Sequence, residues 1–480
     1  MSTMDKQNIG IDDISLYIPK LYLPLSVLAQ KRNIEYAKLN KGLGLTSMSI
    51  PDVNEDAATM AANAVLELIK KNNLNPSDIG RLYLGTESAL DGAKPTATYI
   101  LDMIQQYFET EYGPESMEHC DVLDMTFACI GAVDAMLTTV DWVRAKSGRI
   151  GIIVSSDFAK YDLASTGEYT QGAGSIAMLI KENPRFITIS EEIGVSTGPA
   201  HDFFKPKRKV SKSILANRLS KDLDLDISAI KKVLDAIEPD DSVLLLHKDT
   251  PVFDGPFSNE CYKSRVESAL KDFKRNNKTD IDDPILDTWG RLIFHLPYAY
   301  HAKRICTDLV INNLKLKGDF DSVLKENEIS ADDPKFTKLF SKTEHYRNFV
   351  NEKLEKSQRA SSLIGNMYSC SIFLALISSF HYDLEENTNL TGSKIGFFAY
   401  GSGAKSKVFE GTVNKDWSSI IAGVDLQGKL DNREAISYED YENIHRMSMD
   451  SALSSSNGFV LDSINEEEGD QYGARSYKLL

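Results

Sequence analysis

Asp124-Met125-Thr126-Phe127-Ala128-Cys129-Ile130-Gly131-Ala132 is the stretch in which an alternating apolar run gives way to a helical pattern. Leu123, Met125 and Phe127 fall on one face of a strand by period-two spacing. After the cysteine, Ile130, Val133, Met136, Leu137, Val140 and Val143 recur at three- and four-residue intervals, the stripe of a buried helix. A thiol at this junction meets the first turn of the helix, where unpaired N–H groups and the macrodipole favour thiolate over thiol. Ala128, Gly131 and Ala132 leave room for a substrate. A free cysteine packs more often than it reacts, so the rest of the chain decides what Cys129 does.

Working outward, the first third alternates helix and strand. Asp56 to Lys71 is predicted as a helix, acidic at its start and basic at its end. Asn75-Pro76-Ser77-Asp78 breaks it, and Arg81 to Gly85 reads as a buried strand leading to Thr86-Glu87-Ser88. A helix is expected over Thr96 to Tyr107, and strands at Ile150 to Val154 and Ile176 to Ile180. Alternation of this kind indicates an α/β layered fold. Farther on, Arg291 to Arg304, Ile364 to Phe380 and Ile395 to Phe409 are apolar. The last two again give helix then strand, as if the second half echoed the first. Two charged and helical stretches, 205–248 and 314–358, read as insertions or surface helical layers.

Bulk properties narrow the class. The 480 residues are 42% hydrophobic and 26% charged, an ordinary globular balance. No apolar run approaches the ~18 residues of a membrane span, and the polar N-terminus lacks a signal-peptide core, so a cytoplasmic protein is expected. A net charge of −16 argues against nucleic acid or an anionic membrane as partner. Five scattered cysteines form no disulfide framework, and His119-Cys120 is too little for a metal site, so no metal is expected. The one dense basic cluster, Lys205 to Arg208 and Lys209, reads as a solvated loop before it reads as a phosphate clamp.

Two acid–base candidates stand out. Glu87 follows a buried strand, where partial desolvation raises a carboxyl pKa and suits it to proton abstraction. An ordinary loop acid would look the same. His295 ends an apolar run at Phe294-His295-Leu296-Pro297, while His301 belongs to the following helix. Gly396 to Ser406 ends in Lys-Ser like a phosphate-binding loop, but Ala404 occupies the required glycine position. This loop and Gly172-Ala173-Gly174 are expected to be tight turns whose N–H groups face a developing oxyanion.

Cysteine, carboxylate, histidine and such turns together suit acyl transfer through a thioester. The chain resembles the hydroxymethylglutaryl-CoA synthase family of the thiolase superfamily along nearly its whole length. The resemblance rests on Gly10 to Lys20, Thr86-Glu87-Ser88-Ala89, Ala128-Cys129, Asp157 to Tyr161, Thr170 to Gly174 and Asp202 to Pro206. It continues through Asp254 to Ser258, Phe294 to Pro297, Gly365 to Tyr368 and Tyr400 to Gly403.

The resemblance implies a thiolase-like αβαβα fold with two pseudo-equivalent halves, 1–185 and 186–480. It implies that Cys129 is acetylated by acetyl-CoA, that Glu87 deprotonates the acetyl methyl group, and that His295 orients acetoacetyl-CoA with help from Asn366. It places the N–H groups of Cys129 and Ser402 at the oxyanion, and Tyr161, Asp157 and Asp202 close by. Thr170, Gly172, Lys205, Lys303 and Arg304 are the implied substrate contacts. Lys303 or Arg304 stands in for a lysine that family members often carry at the position of Tyr300. The product would be 3-hydroxy-3-methylglutaryl-CoA for the mevalonate pathway of isoprenoid biosynthesis, made by a homodimer without a cofactor. Two alternatives stay open: a polyketide β-branching synthase acting on carrier-bound acetoacetate, and an inactive thiolase-like scaffold.

Overall fold

The computed structural model describes residues 8–237, 242–278, 282–455 and 457–480. Nine strands form its central mixed sheet: β1 (Ile9–Tyr17), β2 (Ile79–Gly85), β3 (Asp121–Met125), β4 (Ile150–Ala159), β5 (Gly172–Glu182), β6 (Ile187–Thr197), β7 (Arg291–Phe294), β8 (Lys394–Gly401) and β9 (Lys405–Val413). Their order is β7-β8-β9-β6-β1-β5-β4-β2-β3. From one edge, β2 runs parallel to both β3 and β4, and β4, β5 and β1 then alternate antiparallel. From the other, β7 runs parallel to β8, and β8, β9 and β6 alternate antiparallel. The two series meet where β1 pairs with β6 at Gly10↔Thr188 and Ile11↔Ile187.

Period-two alternation assigns the strand residues to two cores. Leu82, Leu84, Ile152, Val154, Ala177 and Leu179 face helices α1 (Ala57–Lys71) and α2 (Thr96–Tyr112). Tyr83, Ile153, Met178 and Ile180 face the other way, into a core shared with α3 (Gly131–Arg144) and α7 (Ser371–Glu385). Helix α4 (Gly255–Asn276) packs on β6, β8 and β9; α5 (His301–Lys317) follows β7; α6 (Glu355–Ile364) lies against α7. Asp56 caps α1 by accepting the N–H groups of Ala58 and Thr59, while the Thr59 hydroxyl accepts the N–H of Asp56.

Three expectations need correction. Gly172-Ala173-Gly174 is not a turn but the start of β5. Its glycines are required by proximity, since a Cβ on Gly172 would lie 2.5 Å from the carbonyl oxygen of Ile364. The stretch 205–248 is not purely helical: Arg208–Ser211 pairs with Val243–Leu246 around helices Lys212–Leu223 and Ile227–Ile237. The stretch 314–358 is more than a surface layer: most of it is exposed, yet Leu314, Val323, Leu324, Phe340, Tyr346, Phe349 and Leu354 are buried in the main core.

Candidate active site

Strand β2 ends at Gly85 beside the start of α3, and the contact leaves no room for a side chain. A Cβ there would lie 2.3 Å from the backbone nitrogen of Ala132. Glu87, two residues beyond the strand end, therefore comes to rest against the turn that carries Cys129. That turn is a single 3-10 turn, Ala128–Ile130, opened by Ala128 at φ 40°. A non-glycine residue in the left-handed region costs free energy and persists where packing enforces it, often at reactive sites. Gly401, at the end of β8, closes the other side: its Cβ would fall 2.9 Å from the Phe127 carbonyl oxygen.

The Cys129 thiol donates to Glu87 Oε1 at 2.7 Å. Burial raises the Glu87 pKa to about 7, with Lys205 acting downward and Asp157 upward. Burial and the Glu87 charge push the Cys129 thiol well above its ordinary value. The expectation of a dipole-stabilised thiolate is thus overturned in the resting site, because desolvation and a neighbouring carboxylate outweigh the partial charge of a helix end.

Asp157, fully buried in β4, locks Glu87 in place. Its Oδ1 accepts the Glu87 backbone N–H at 2.7 Å and the Ser88 hydroxyl at 2.9 Å; its Oδ2 accepts the Ser369 N–H at 3.0 Å. Asp202 does the same for the opposite loop, accepting the Tyr400 hydroxyl at 2.7 Å and the Gly403 N–H at 2.8 Å. These carboxylates sit behind the reacting groups and orient the backbone that carries them.

A cleft of about 390 Å³ opens over the thiol, and Cys129, Tyr161, Thr170, His295, Asn366, Ser402 and Arg304 all line it. His295 is 2% exposed, with its carbonyl oxygen accepting the Tyr262 hydroxyl at 2.7 Å and Nδ1 lacking a partner among the described residues. Burial lowers its pKa to about 3, so the imidazole is neutral. The Asn366 side-chain oxygen accepts the Tyr368 N–H at 2.9 Å and the Ser371 hydroxyl at 3.0 Å, which fixes the amide plane. The Thr170 hydroxyl donates to the Gly167 carbonyl at 2.7 Å.

Gly172, Lys205 and Lys303 are not part of that cleft lining, whereas Arg304 is. Gly172 is buried against the backbone of 364–366, away from the cleft lining. Lys303 stacks on Tyr300, Nζ 3.0 Å from the ring centroid, and burial lowers its pKa to about 8. Arg304 stands at the mouth, bonded to the Gly42 carbonyl oxygen at 2.6 Å. Lys205 turns inward to the Glu87 carbonyl oxygen at 3.1 Å.

Sequence reasoning missed the aromatic wall of Tyr262, Phe253 and Tyr368. Aromatic residues at helix or strand spacing look like core, and only the Gly365 to Tyr368 motif hinted otherwise. His301 was placed correctly on α5, but its position in the cleft was not foreseen. It is 1% exposed, stacks on Tyr262 at 4.8 Å, and both its ring nitrogens lack a partner among the described residues.

A buried thiol bonded to a carboxylate, beside a neutral imidazole, on a mixed α/β sheet defines a thiolase-like acyltransferase. The match to known proteins is more specific. Residues 5–184 match the family model described as Hydroxymethylglutaryl-coenzyme A synthase N terminal, and 222–466 the corresponding C terminal model. The chain belongs to the hydroxymethylglutaryl-CoA synthase family.

Among its relatives, a hydroxymethylglutaryl-CoA synthase of Haloferax volcanii is 28% identical over 454 residues, covering 91% of each chain. One of Enterococcus faecalis is 26% identical over 448 residues, covering 93% of each. A solved HMG-CoA synthase complexed with CoA superposes with a TM-score of 0.70 at 25% identity, over 98% of this chain and 100% of that one. The curacin-pathway HMG synthase shares the fold with a TM-score of 0.74 at 18% identity, over 99% and 100%.

Proposed function

We propose that the protein condenses acetyl-CoA with acetoacetyl-CoA and water to 3-hydroxy-3-methylglutaryl-CoA and CoA through acetyl-Cys129. The observation that carries this reading is the 2.7 Å contact between Cys129 Sγ and Glu87 at the foot of the cleft. It sets nucleophile and base on one another, within a family that does this chemistry.

In the first step the Cys129 sulfur attacks the thioester carbon of acetyl-CoA, the C–S bond to CoA breaks, and the thiol proton leaves with CoA. Glu87 then removes a proton from the acetyl methyl group, which its thioester renders acidic. The enolate carbon attacks the ketone carbon of acetoacetyl-CoA, and the proton held by Glu87 passes to the new alkoxide. Water finally cleaves the enzyme thioester, leaving a carboxylate and the free thiol. Being neutral, His295 is suited to donate a hydrogen bond to the ketone oxygen rather than a full charge. The N–H groups of Cys129 and Ser402 serve as the oxyanion site, and Arg304 at the mouth contacts the CoA phosphates.

Supporting features extend to the whole chain. The strand series β2-β4-β5-β1 and β7-β8-β9-β6 repeat one pattern of directions. Ala128 at φ 40° before α3 matches Tyr368 at φ 42° before α7. We read 1–185 and 186–480 as pseudo-equivalent halves on this basis. We also propose a homodimer joined near the edge strand β3, whose backbone is unpaired on one side among the described residues and whose Leu123 is 41% exposed. Light scattering that finds only monomer overturns it. Five unpaired cysteines fit a cytoplasmic setting.

The deciding experiment is turnover of purified enzyme with acetyl-CoA and either free or carrier-bound acetoacetate. CoA release with free acetoacetyl-CoA is expected. Activity confined to a loaded carrier protein assigns the chain to β-branching instead. Absence of an acetyl mass shift that depends on Cys129 would reduce it to a scaffold.

A further inference from the structure

Lys205 heads the basic cluster, yet its environment separates it from the rest. Lys207, Arg208 and Lys209 are exposed, while Lys205 is half-buried. The short strand Phe203–Phe204 pairs antiparallel with Val252–Phe253, and Pro206 follows Lys205 directly. That ribbon aims the Lys205 side chain toward the reacting groups rather than toward solvent. Its Nζ donates to the Glu87 carbonyl oxygen at 3.1 Å and lies 5.0 Å from the centroid of the Tyr368 ring, whose face favours a cation.

The groups that act on the Glu87 carboxylate are Cys129, Asp157, Asp202 and Lys205, and its charge is felt in turn by the buried hydroxyls of Tyr161 and Tyr368. Lys205 is the cation among them. Two buried carboxylates beside a third would hold the base protonated, and a protonated Glu87 cannot abstract a methyl proton.

We propose that Lys205 is a positioning residue for the base: its hydrogen bond fixes the Glu87 main chain, and its charge offsets Asp157 and Asp202. The CoA phosphates are therefore left to other cations at the mouth, such as Arg304. This assignment rests on Glu87 acting as the base of the condensation. The effect of the charge is on the direction of the Glu87 equilibrium: it draws the carboxyl downward against burial.

The test uses the full-length enzyme, acetylated in advance on Cys129 and mixed rapidly with acetoacetyl-CoA across a range of pH. In Lys205→Met, the acid limb of the condensation rate should move up by about one pH unit. The rate at pH 7 should drop about fivefold, approach a tenfold deficit at lower pH, and recover under alkaline conditions. Lys205→Arg should restore the wild-type limb. A Met variant whose acid limb stays in place overturns the proposal, whether its rate is unchanged or lowered evenly at every pH. So does a rise in KM for acetoacetyl-CoA with an unmoved limb, which would return Lys205 to phosphate binding. Circular dichroism and the yield of acetyl-enzyme report whether the Met variant folds; if it does not, the Arg variant and a Lys205→Gln variant carry the comparison. If wild-type enzyme forms no acetyl-Cys129, the functional reading fails before Lys205 is tested.

Discussion

At the scale of the residue, the site is controlled by desolvation. The same burial that lifts Glu87 to about 7 also keeps the Cys129 proton on sulfur and leaves His295 neutral. Glu87→Gln should still accept acetyl on Cys129, seen as a mass shift, while condensation falls by about 10²–10⁴. On the proposed mechanism Glu87 works deprotonated, so single-turnover condensation in the wild type should decline as pH drops through about 7. A profile that stays flat through that pH would remove Glu87 from the role. What could be read from the chain at this scale was identity: Cys129, Glu87, His295 and Asn366 sit in recognisable motifs. What could not was ionisation, because helix-end charge is visible in a local pattern while burial depends on segments hundreds of residues apart. Lys205 illustrates the same limit: its neighbours Lys207 and Arg208 are solvated, and only the ribbon with Val252–Phe253 turns it inward.

At the scale of the element, close approach of backbones determines where those residues end up. Gly85 lets β2 touch α3, and Gly401 lets β8 touch the Cys129 turn. Gly85→Ala inserts a methyl group into a backbone contact of 2.3 Å. It should cost about 1–3 kcal/mol in chemical denaturation and lower the yield of acetyl-enzyme. Wild-type stability in that variant would show that the contact can relax freely. Element types were legible because α1 has strong helical periodicity and β4 and β5 are apolar runs. The start of β5 was not: Gly172 and Gly174 look like turn residues, but they are selected by the chain at 364–367 packed across them.

At the scale of the whole molecule, a few buried charges tie distant segments together. Asp383 in α7 is fully buried and accepts Arg291 Nε of β7 at 2.8 Å and Lys356 Nζ of α6 at 2.7 Å. Asp383→Ala leaves buried Arg291 without its carboxylate, while Lys356 keeps Glu386 at 2.6 Å, and should cost about 3–5 kcal/mol of unfolding free energy. Glu55 adds a pH dependence. Burial raises its pKa to about 7, and the Tyr17 hydroxyl donates to it. The unfolded chain releases this proton near the ordinary carboxylate value, whereas the folded chain holds it until about 7. The contribution is therefore fully present below the unfolded pKa and is lost as pH rises through the folded one. Urea titrations should show that loss in the wild type and less of it in Glu55→Gln. The layered α/β class was legible from the alternation of elements, but the anchoring of the largely exposed 314–358 stretch in the core was not, since its charges outnumber the apolar side chains it buries.

The bond between Cys129 and Glu87 works as an interlock. While the sulfur carries a proton, the carboxylate is engaged with it; once the sulfur carries an acetyl group, that donor is gone and the carboxylate is released to the methyl protons now beside it. On the proposed mechanism this exchange couples release of the base to loading of the nucleophile, and so favours acetyl-CoA before acetoacetyl-CoA.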